Sequence, residues 1–455
     1  MVRRVIGAAI CLVALVAGGT PYAAAEREVA STCAGRAVTI SWQPGVPTIN
    51  GTGGPDVIQG GPRDETINAG GGEDVVCGGG GSDTIDGGSR RDELFGQDGG
   101  DDFVGAGLAQ DLITGGSGGL DAAHYASLPA GVEVNLGTGL VHMTGAGVNG
   151  GILGVEIVLG SVHDDRLIGG AAREDLVGKA GNDTVEGRGG IDVLDGSGGE
   201  DTVTYAASNA AVHLDLATDR ATVGTTEDRI QRFETAIGTR FDDRLLGAGD
   251  TNDHLLGAGG DDVLKGRAGD DLLDGGGDDD VIHPGPGDDE VDGGNNDPVT
   301  SSGEHGDLVS YQGDTATPHD GRNGFDAWLL PGFIGTPPGS DGVGHDEFSG
   351  VESIRGVKRG QNHLDGDAGP NVLIGGDGQD WFVGAGGNDL VFGLAGVDQL
   401  EGDSTDPAGG TFGDDYLDAG GPTGENDGDY IEGHGGNDTC TGAKPEWTEN
   451  CETQF

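Results

Sequence analysis

Acidic residues recur along this chain at a spacing that chance composition does not produce. The pattern is acid-x-apolar-x-Gly, first met at Asp56-Val57-Ile58-Gln59-Gly60. The acid returns at Glu65, Asp74, Asp83, Asp92 and Asp101, each nine residues after the last, and at Asp111 after ten. A second run holds Asp165, Glu174, Asp183, Asp192 and Asp201. A third holds Asp243, Asp253, Asp262, Asp271, Asp280 and Asp289. A fourth holds Asn362, Asn371, Asp380, Asp389 and Asp398, and Asp415, Asp429 and Asp438 follow at irregular gaps. Carboxylates so placed are hard oxygen donors. The glycines between them permit positive φ, so each turn can aim carbonyls at one point. Ca2+ takes six to eight oxygens at roughly 2.3–2.6 Å, more than one short turn supplies. Two turns stacked on one edge do supply them, which places the ion between turns. Mg2+ fits less well, because it keeps a small octahedron that retains water. Transition metals favour His and Cys, which are scattered here. The competing reading is that the aspartates only cap turns through Asx hydrogen bonds. That reading leaves the negative charge uncompensated.

One unit in full is Gly257-Ala258-Gly259-Gly260-Asp261-Asp262-Val263-Leu264-Lys265. Close copies are Gly178-Lys179-Ala180-Gly181-Asn182-Asp183-Thr184-Val185-Glu186 and Gly384-Ala385-Gly386-Gly387-Asn388-Asp389-Leu390-Val391-Phe392. These units resemble the RTX, or haemolysin-type, nonapeptide G-G-x-G-x-D-x-U-x, where U is apolar. The resemblance covers most of residues 51–442 apart from three inserts. It implies a coil of two nonapeptides with turns on alternating edges. It therefore pairs Asp262 with Asp280, and Asp271 with Asp289. Every aspartate of the four regular runs, together with Asp438, is an expected Ca2+ ligand. Glu65, Glu174, Asn362 and Asn371 replace the key Asp and mark weaker sites. So do the turns holding Arg90-Arg91 and Pro284 with Pro286.

The elements that hold these acids must be small. D-x-U-x is long enough only for a short strand, and its one apolar residue points inward. One buried side chain per nine ordered residues cannot offset the conformational entropy lost on folding, so ions must contribute. Composition agrees. Gly occurs 98 times, apolar residues are 34% and aromatic residues 5% of the chain, too few for an ordinary packed core. The formal charge of −56 excludes a nucleic-acid partner, which Lys and Arg would have to bind, and excludes docking on an anionic membrane. The expected fold is all-β: parallel β-roll (β-solenoid) blocks with three β-rich inserts.

The inserts resemble one another. Each opens on an acid before a Tyr: Asp121 to Tyr125, Asp201 to Tyr205, Asp307 to Tyr311. Each ends on Val-Glu or Phe-Glu: Glu156, Glu234 and Glu352. Glu156 and Glu234 stand nine residues before Asp165 and Asp243, so the inserts leave the register and rejoin it. Each reads as a hairpin-like extension packed on the end of the adjoining roll, with its Tyr in the packing rather than at a ligand. The third is longest and places Phe325, Trp328 and Phe333 in a Pro- and Gly-rich stretch, best read as solvated variation.

Residues 1–25 read as a cleaved leader: Arg3-Arg4, an apolar run from Val5 to Val16, then Ala23-Ala24-Ala25. That run is too short to cross a membrane, so no transmembrane segment is expected. Cys33, Cys77, Cys440 and Cys451 remain after the leader. Three pairings are open, and local pairs at the two ends are preferred. The expected organisation is a leader (1–25), a first block (26–118), an insert (119–164), a second block (165–205) and an insert (206–242). A third block (243–293), an insert (294–361), a fourth block (362–442) and a tail (443–455) follow.

No catalytic centre is expected. Gly115-Gly116-Ser117-Gly118-Gly119 fits G-x-S-x-G, but no strand–helix elbow is predicted around it. No HExxH motif occurs among the 11 His. The sequence thus points to a secreted chain that binds several Ca2+ ions and folds on them, largely disordered without them. It would act as an extracellular structural or interaction module. An adhesin whose inserts meet a protein or glycan is the alternative, and a hydrolase or toxin ranks lower. Many exporters of the RTX type read an uncleaved C-terminal signal, and the N-terminal leader here departs from that, against a toxin role.

Overall fold

A computed structural model describes residues 32–105, 110–145, 149–295, 307–311, 324–328, 347–349, 351–356, 361–403, 413–420, 429–442, 448–451 and 453–454. The expected leader and most of the third insert, including Phe333, lie outside them. Among the described residues the fold is all-β, with one 3-10 turn at Leu216–Thr218.

Each nonapeptide folds as a turn and a short strand, and successive strands go to opposite sheets. Val57–Gln59 pairs in parallel with Val75–Gly80 in one sheet, and Thr66–Asn68 with Thr84–Asp86 in the other. Each step is 18 residues, one coil of two nonapeptides. The central residue of each strand faces inward. Ile58, Ile67, Val76, Ile85, Leu94 and Phe103 are all fully buried between the sheets. The first sheet has sixteen strands, from Ile40–Ser41 to Glu347–Ser349, and a six-stranded sheet runs from Gly324–Trp328 to Thr448–Glu449. The second face pairs strand to strand from Thr48–Asn50 to Thr453–Gln454.

The first two inserts do not cap the ends of separate rolls. They lie inside the ladder, on opposite faces. Val132–Asn135, Leu140–Met143 and Asn149–Leu153 form an antiparallel meander in the first sheet. Its outer strands run parallel to Leu112–Gly118 and Arg166–Ile168. The second sheet meanwhile passes without interruption from Ala122–His124 to Ile157–Leu159. The second meander, Val212–Asp215, Arg220–Val223 and Thr226–Gln231, occupies the second sheet instead. There the first sheet passes straight from Thr202–Thr204 to Thr235–Ile237. The physical reason is parity: three antiparallel strands return the chain to its starting direction, so the parallel ladder can resume. Of the third insert, Leu308–Ser310 joins Val281–His283 to Ser353–Arg355 in the same manner.

Tyr125, Tyr205 and Tyr311 are buried, as expected of packing residues. Both preferred disulfides form, Cys33–Cys77 and Cys440–Cys451.

Stacking is so close that some glycines cannot be replaced. Gly269 has φ 131°, and a Cβ there would overlap the Thr251 carbonyl of the coil before it. Gly259, in the neighbouring turn, has open space around it. Gly269→Ala should therefore cost about 1–3 kcal/mol of strain or more, whereas Gly259→Ala should be near neutral. Denaturant unfolding of the two variants in calcium buffer checks this.

Candidate metal centres

Each turn is numbered from its first glycine, so the acid is at position six. In most turns positions two and four both have positive φ: 85° and 99° at Ala258 and Gly260, 91° and 115° at Lys179 and Gly181, 82° and 149° at Gln97 and Gly99. This backbone points carbonyls inward and folds the acid over position one. Asp262 Oδ2 and the Gly275 carbonyl of the next coil both lie where a Cβ of Gly257 would be. The same two kinds of oxygen meet at Gly78 (Asp83 and Gly96), Gly275 (Asp280 and Gly293) and Gly384 (Asp389 and Gly402). Position one is glycine because oxygens converge there.

The two carboxylate oxygens have different surroundings. Oδ1 accepts the backbone N–H of the acid one coil earlier. Asp56 donates to Asp74 (2.7 Å), Asp74 to Asp92 (2.8 Å), Asp83 to Asp101 (2.8 Å) and Asp92 to Asp111 (2.9 Å). Asp262 donates to Asp280 and Asp271 to Asp289, both at 2.8 Å, which is the pairing the repeat implied. Asp165 to Asp183, Asp183 to Asp201, Asp380 to Asp398 and Asp415 to Asp438 continue the ladders. Oδ2 is buried with no hydrogen-bond partner in Asp74, Asp83, Asp92, Asp101, Asp183, Asp192, Asp201, Asp262, Asp271, Asp280 and Asp389. An anionic oxygen in that state is costly unless a cation or a proton meets it.

The opening turns of each block differ. Thr52 N–H donates to Asp56 Oδ2 at 2.7 Å, and its hydroxyl donates to the same atom at 2.8 Å. Ser161 and Thr239 treat Asp165 and Asp243 alike, with hydroxyl bonds to Oδ1 of 2.9 and 3.0 Å. Ala248 N–H donates to Asp253 (2.6 Å) and Gly376 N–H to Asp380 (2.8 Å). Glu65 and Asn371 are closed likewise by Gly61 and Asp367. Position two of these turns does not have positive φ. The sequence named all twenty aspartates as ligands and set apart as weaker only the turns with Arg90-Arg91 and with Pro284 and Pro286. The geometry separates Asp56, Asp165, Asp243, Asp253 and Asp380, whose second oxygen already has a donor. For these five the Asx-cap reading describes the bonds.

Further acids stand on the same ladders. Asp121 accepts from Asp101, Asp228 from Asp192, Asp307 from Asp280, Asp415 from Asp389 and Asp429 from Asp398. Glu156, Glu234 and Glu352 accept from Asp121, Asp201 and Asp307. Asp228 escapes sequence reading because no glycine turn precedes it. Its only signal is Asp228-Arg229-Ile230, acid-x-apolar. Among the described residues no three Asp, Glu, His or Cys side chains converge as a metal cage. The converging donors are single carboxylate oxygens and main-chain carbonyls, a set that suits Ca2+. Ser117 of the G-x-S-x-G match lies in the strand Leu112–Gly118 and donates to Asp98 at 2.8 Å.

The sequence profile of the RTX calcium-binding nonapeptide repeat, in four-copy form, matches residues 50–85, 78–109, 168–203, 247–282, 359–391, 374–406 and 423–444. These segments hold most of the regular turns and lie almost wholly outside the inserts, and the closed turns of Asp165 and Asp243 fall outside them. No curated protein matches the chain.

Burial raises the open aspartates, and neighbouring acids add to it, against the lowering effect of the bond at Oδ1. Asp83, Asp183 and Asp262 rise to about 7, and Asp280 and Asp389 to about 8. An unfolded Asp titrates near ~3.9. The metal-free fold therefore prefers the protonated acids. That contribution is complete below about pH 4 and is lost as pH rises through 6 to 8. Circular dichroism in chelator should show more β structure and a higher unfolding midpoint at pH 5 than at pH 8. Calcium should act in the opposite sense: its binding should release protons at pH 7 and weaken as pH falls to 6, which calorimetry in two buffers of different ionisation enthalpy reads.

Proposed function

Several copies of the RTX calcium-binding nonapeptide repeat run through this chain, and from that premise we propose that it is a secreted protein whose rolls order on many Ca2+ ions and serve as an extracellular structural or interaction module. The observation that carries this reading is the column of buried, unpartnered Oδ2 atoms, most of them beside a carbonyl of the next coil. The ligands are then the aspartates of the open turns, with Asp262 and Asp280, or Asp83 and Asp101, flanking one position between coils. Calcium supplies the positive charge that these turns lack. The residues supply a rigid oxygen set whose Oδ1 atoms are fixed by backbone N–H groups. The leader at residues 1–25 and the two disulfides support export to an oxidising compartment rich in calcium. No helix among the described residues is long and apolar enough to cross a membrane. The reading assigns no reaction to the chain.

A calcium titration of the chain without its leader, followed by far-UV circular dichroism with Mg2+ as control, tests it. A cooperative gain of β signal with calcium alone is expected. Asp262→Asn should weaken its own site about 10–100-fold. A full β spectrum in chelator at pH 8, or disorder at millimolar calcium, would overturn the reading.

One observation favours an adhesin within this reading. Leu112, Leu140 and Leu153 are exposed (38%, 58% and 63%) and lie on adjacent strands, Leu140 and Leu153 in the first insert and Leu112 on the block strand that pairs with it, across from Gly151 or two residues along from it. Such a patch on so acidic a surface marks a contact site. Replacing Leu140 and Leu153 by Ser should leave calcium binding intact and abolish calcium-dependent binding to cells or immobilised glycans.

A further inference from the structure

We infer that the first two inserts, each with the closed turn that follows it, are metal-independent seeds on which the calcium rolls are built. The inference rests on the calcium reading and adds that the chain without metal is not uniformly disordered.

Apolar density is the first ground. Residues 121–158 bury ten apolar side chains, whereas the open roll over 257–291 buries four in a similar length. The meander packs Val134, Val141 and Ile152 beneath Tyr125 and Leu128, all nearly or fully buried. The second insert repeats this with Tyr205, Leu214, Ala221 and Ile230. The hydrophobic driving force per ordered residue is therefore more than twice that of the rolls.

Hydrogen bonding is the second, independent ground. The meanders add antiparallel pairing between neighbouring strands, Val134 opposite Val141 and Leu214 opposite Ala221. The coil leaving each insert contains the closed turns. Asp165 accepts from Ser161 and from Val132 N–H of the insert at 2.7 Å. Asp243 accepts from Thr239 and from Val212 N–H at 2.6 Å. A hydroxyl and two N–H groups do there what a cation does elsewhere. Both carboxylate oxygens of these turns have donors without metal, and one of those donors belongs to the insert.

Ties to the rolls are the third ground. Arg232 of the second insert bonds Asp195 in the preceding block. Arg267 of the following block forks onto Asp215 at 2.9 and 3.1 Å. A seed so anchored presents a finished strand on each side for the next coil to pair with. Ordering would then spread outward from the seeds as calcium fills the open turns.

Hydrogen–deuterium exchange of the full chain, with calcium and with chelator at pH 7.5, tests this. In chelator, amides of 132–143, 157–168, 212–231 and 235–246 should exchange at least about tenfold more slowly than those of 75–104 and 263–291. With calcium all should be protected. Uniformly fast exchange in chelator followed by protection in calcium would overturn the seeds and leave the calcium reading standing. Uniform protection in both conditions would overturn both. A Ser161→Ala and Thr239→Val double variant should lose most of the protection in chelator over 157–168 and 235–246 yet regain it in calcium. Unchanged protection in chelator would overturn the role given to the closed turns.

Discussion

The structure depends on one unsatisfied atom per open turn, the Oδ2 of a buried aspartate. Its partner oxygen, Oδ1, is fully used in holding the coil before it through a backbone N–H. The geometry that stacks the coils is thus the geometry that strands the second oxygen among carbonyls. Stacking more coils adds more such atoms, all negative and all in line. A roll of this kind cannot be stabilised from within. Its thin core, one side chain per nonapeptide, has no surplus to offset a buried charge. The turns therefore couple the fold to something outside the chain that carries positive charge, a proton or a cation. The oxygen-only donor set selects a hard ion.

Two backbone conformations decide which turns carry that debt. Where position two has positive φ, the turn opens inward and Oδ2 is left over. Where position two has ordinary φ, its own N–H reaches Oδ2 and the turn is closed. Most closed turns stand in the first coil of a block, and those of Asp165 and Asp243 follow an insert strand, whereas Asp380 is closed although Asn362 precedes it on the same ladder. Thr52, Ser161 and Thr239 occupy position two at three such places, and their hydroxyls add a second bond. A block thus starts on a coil with at least one closed turn and continues mainly on open ones.

Much of this was legible in the sequence, and the parts that were not have physical causes. The nine-residue spacing marked the units, and the resemblance to the RTX nonapeptide supplied the coil of two and with it the pairing of Asp262 with Asp280. The inward residue could be read as well, because side chains alternate in a strand. The closed turns were hidden because the acid alone does not report φ at position two. The available signal was Gly-[Ser/Thr] five residues before the acid, at Gly51-Thr52, Gly160-Ser161 and Gly238-Thr239. Asp228 was hidden because its strand belongs to a meander and has no glycine turn. The placing of the inserts was hidden because alternation of residues predicts strands but does not say which sheet they join.

Parity resolves that last point and explains the shape of the inserts. A parallel roll admits an interruption only if the chain re-enters in the same direction. One added strand does so but makes no hairpin. Two reverse the direction. Three are the fewest antiparallel strands that restore it, and three is what each of the first two inserts contains. The opposite sheet needs no adjustment, because its neighbouring strands pair across the insert at the ordinary spacing. Each insert therefore enlarges one face of the roll and leaves the other continuous. Tyr125 and Tyr205 directly follow the last strand before each meander and are buried. The aromatic ring fills the extra width that a third strand opens, a volume that a nonapeptide turn of glycines could not fill.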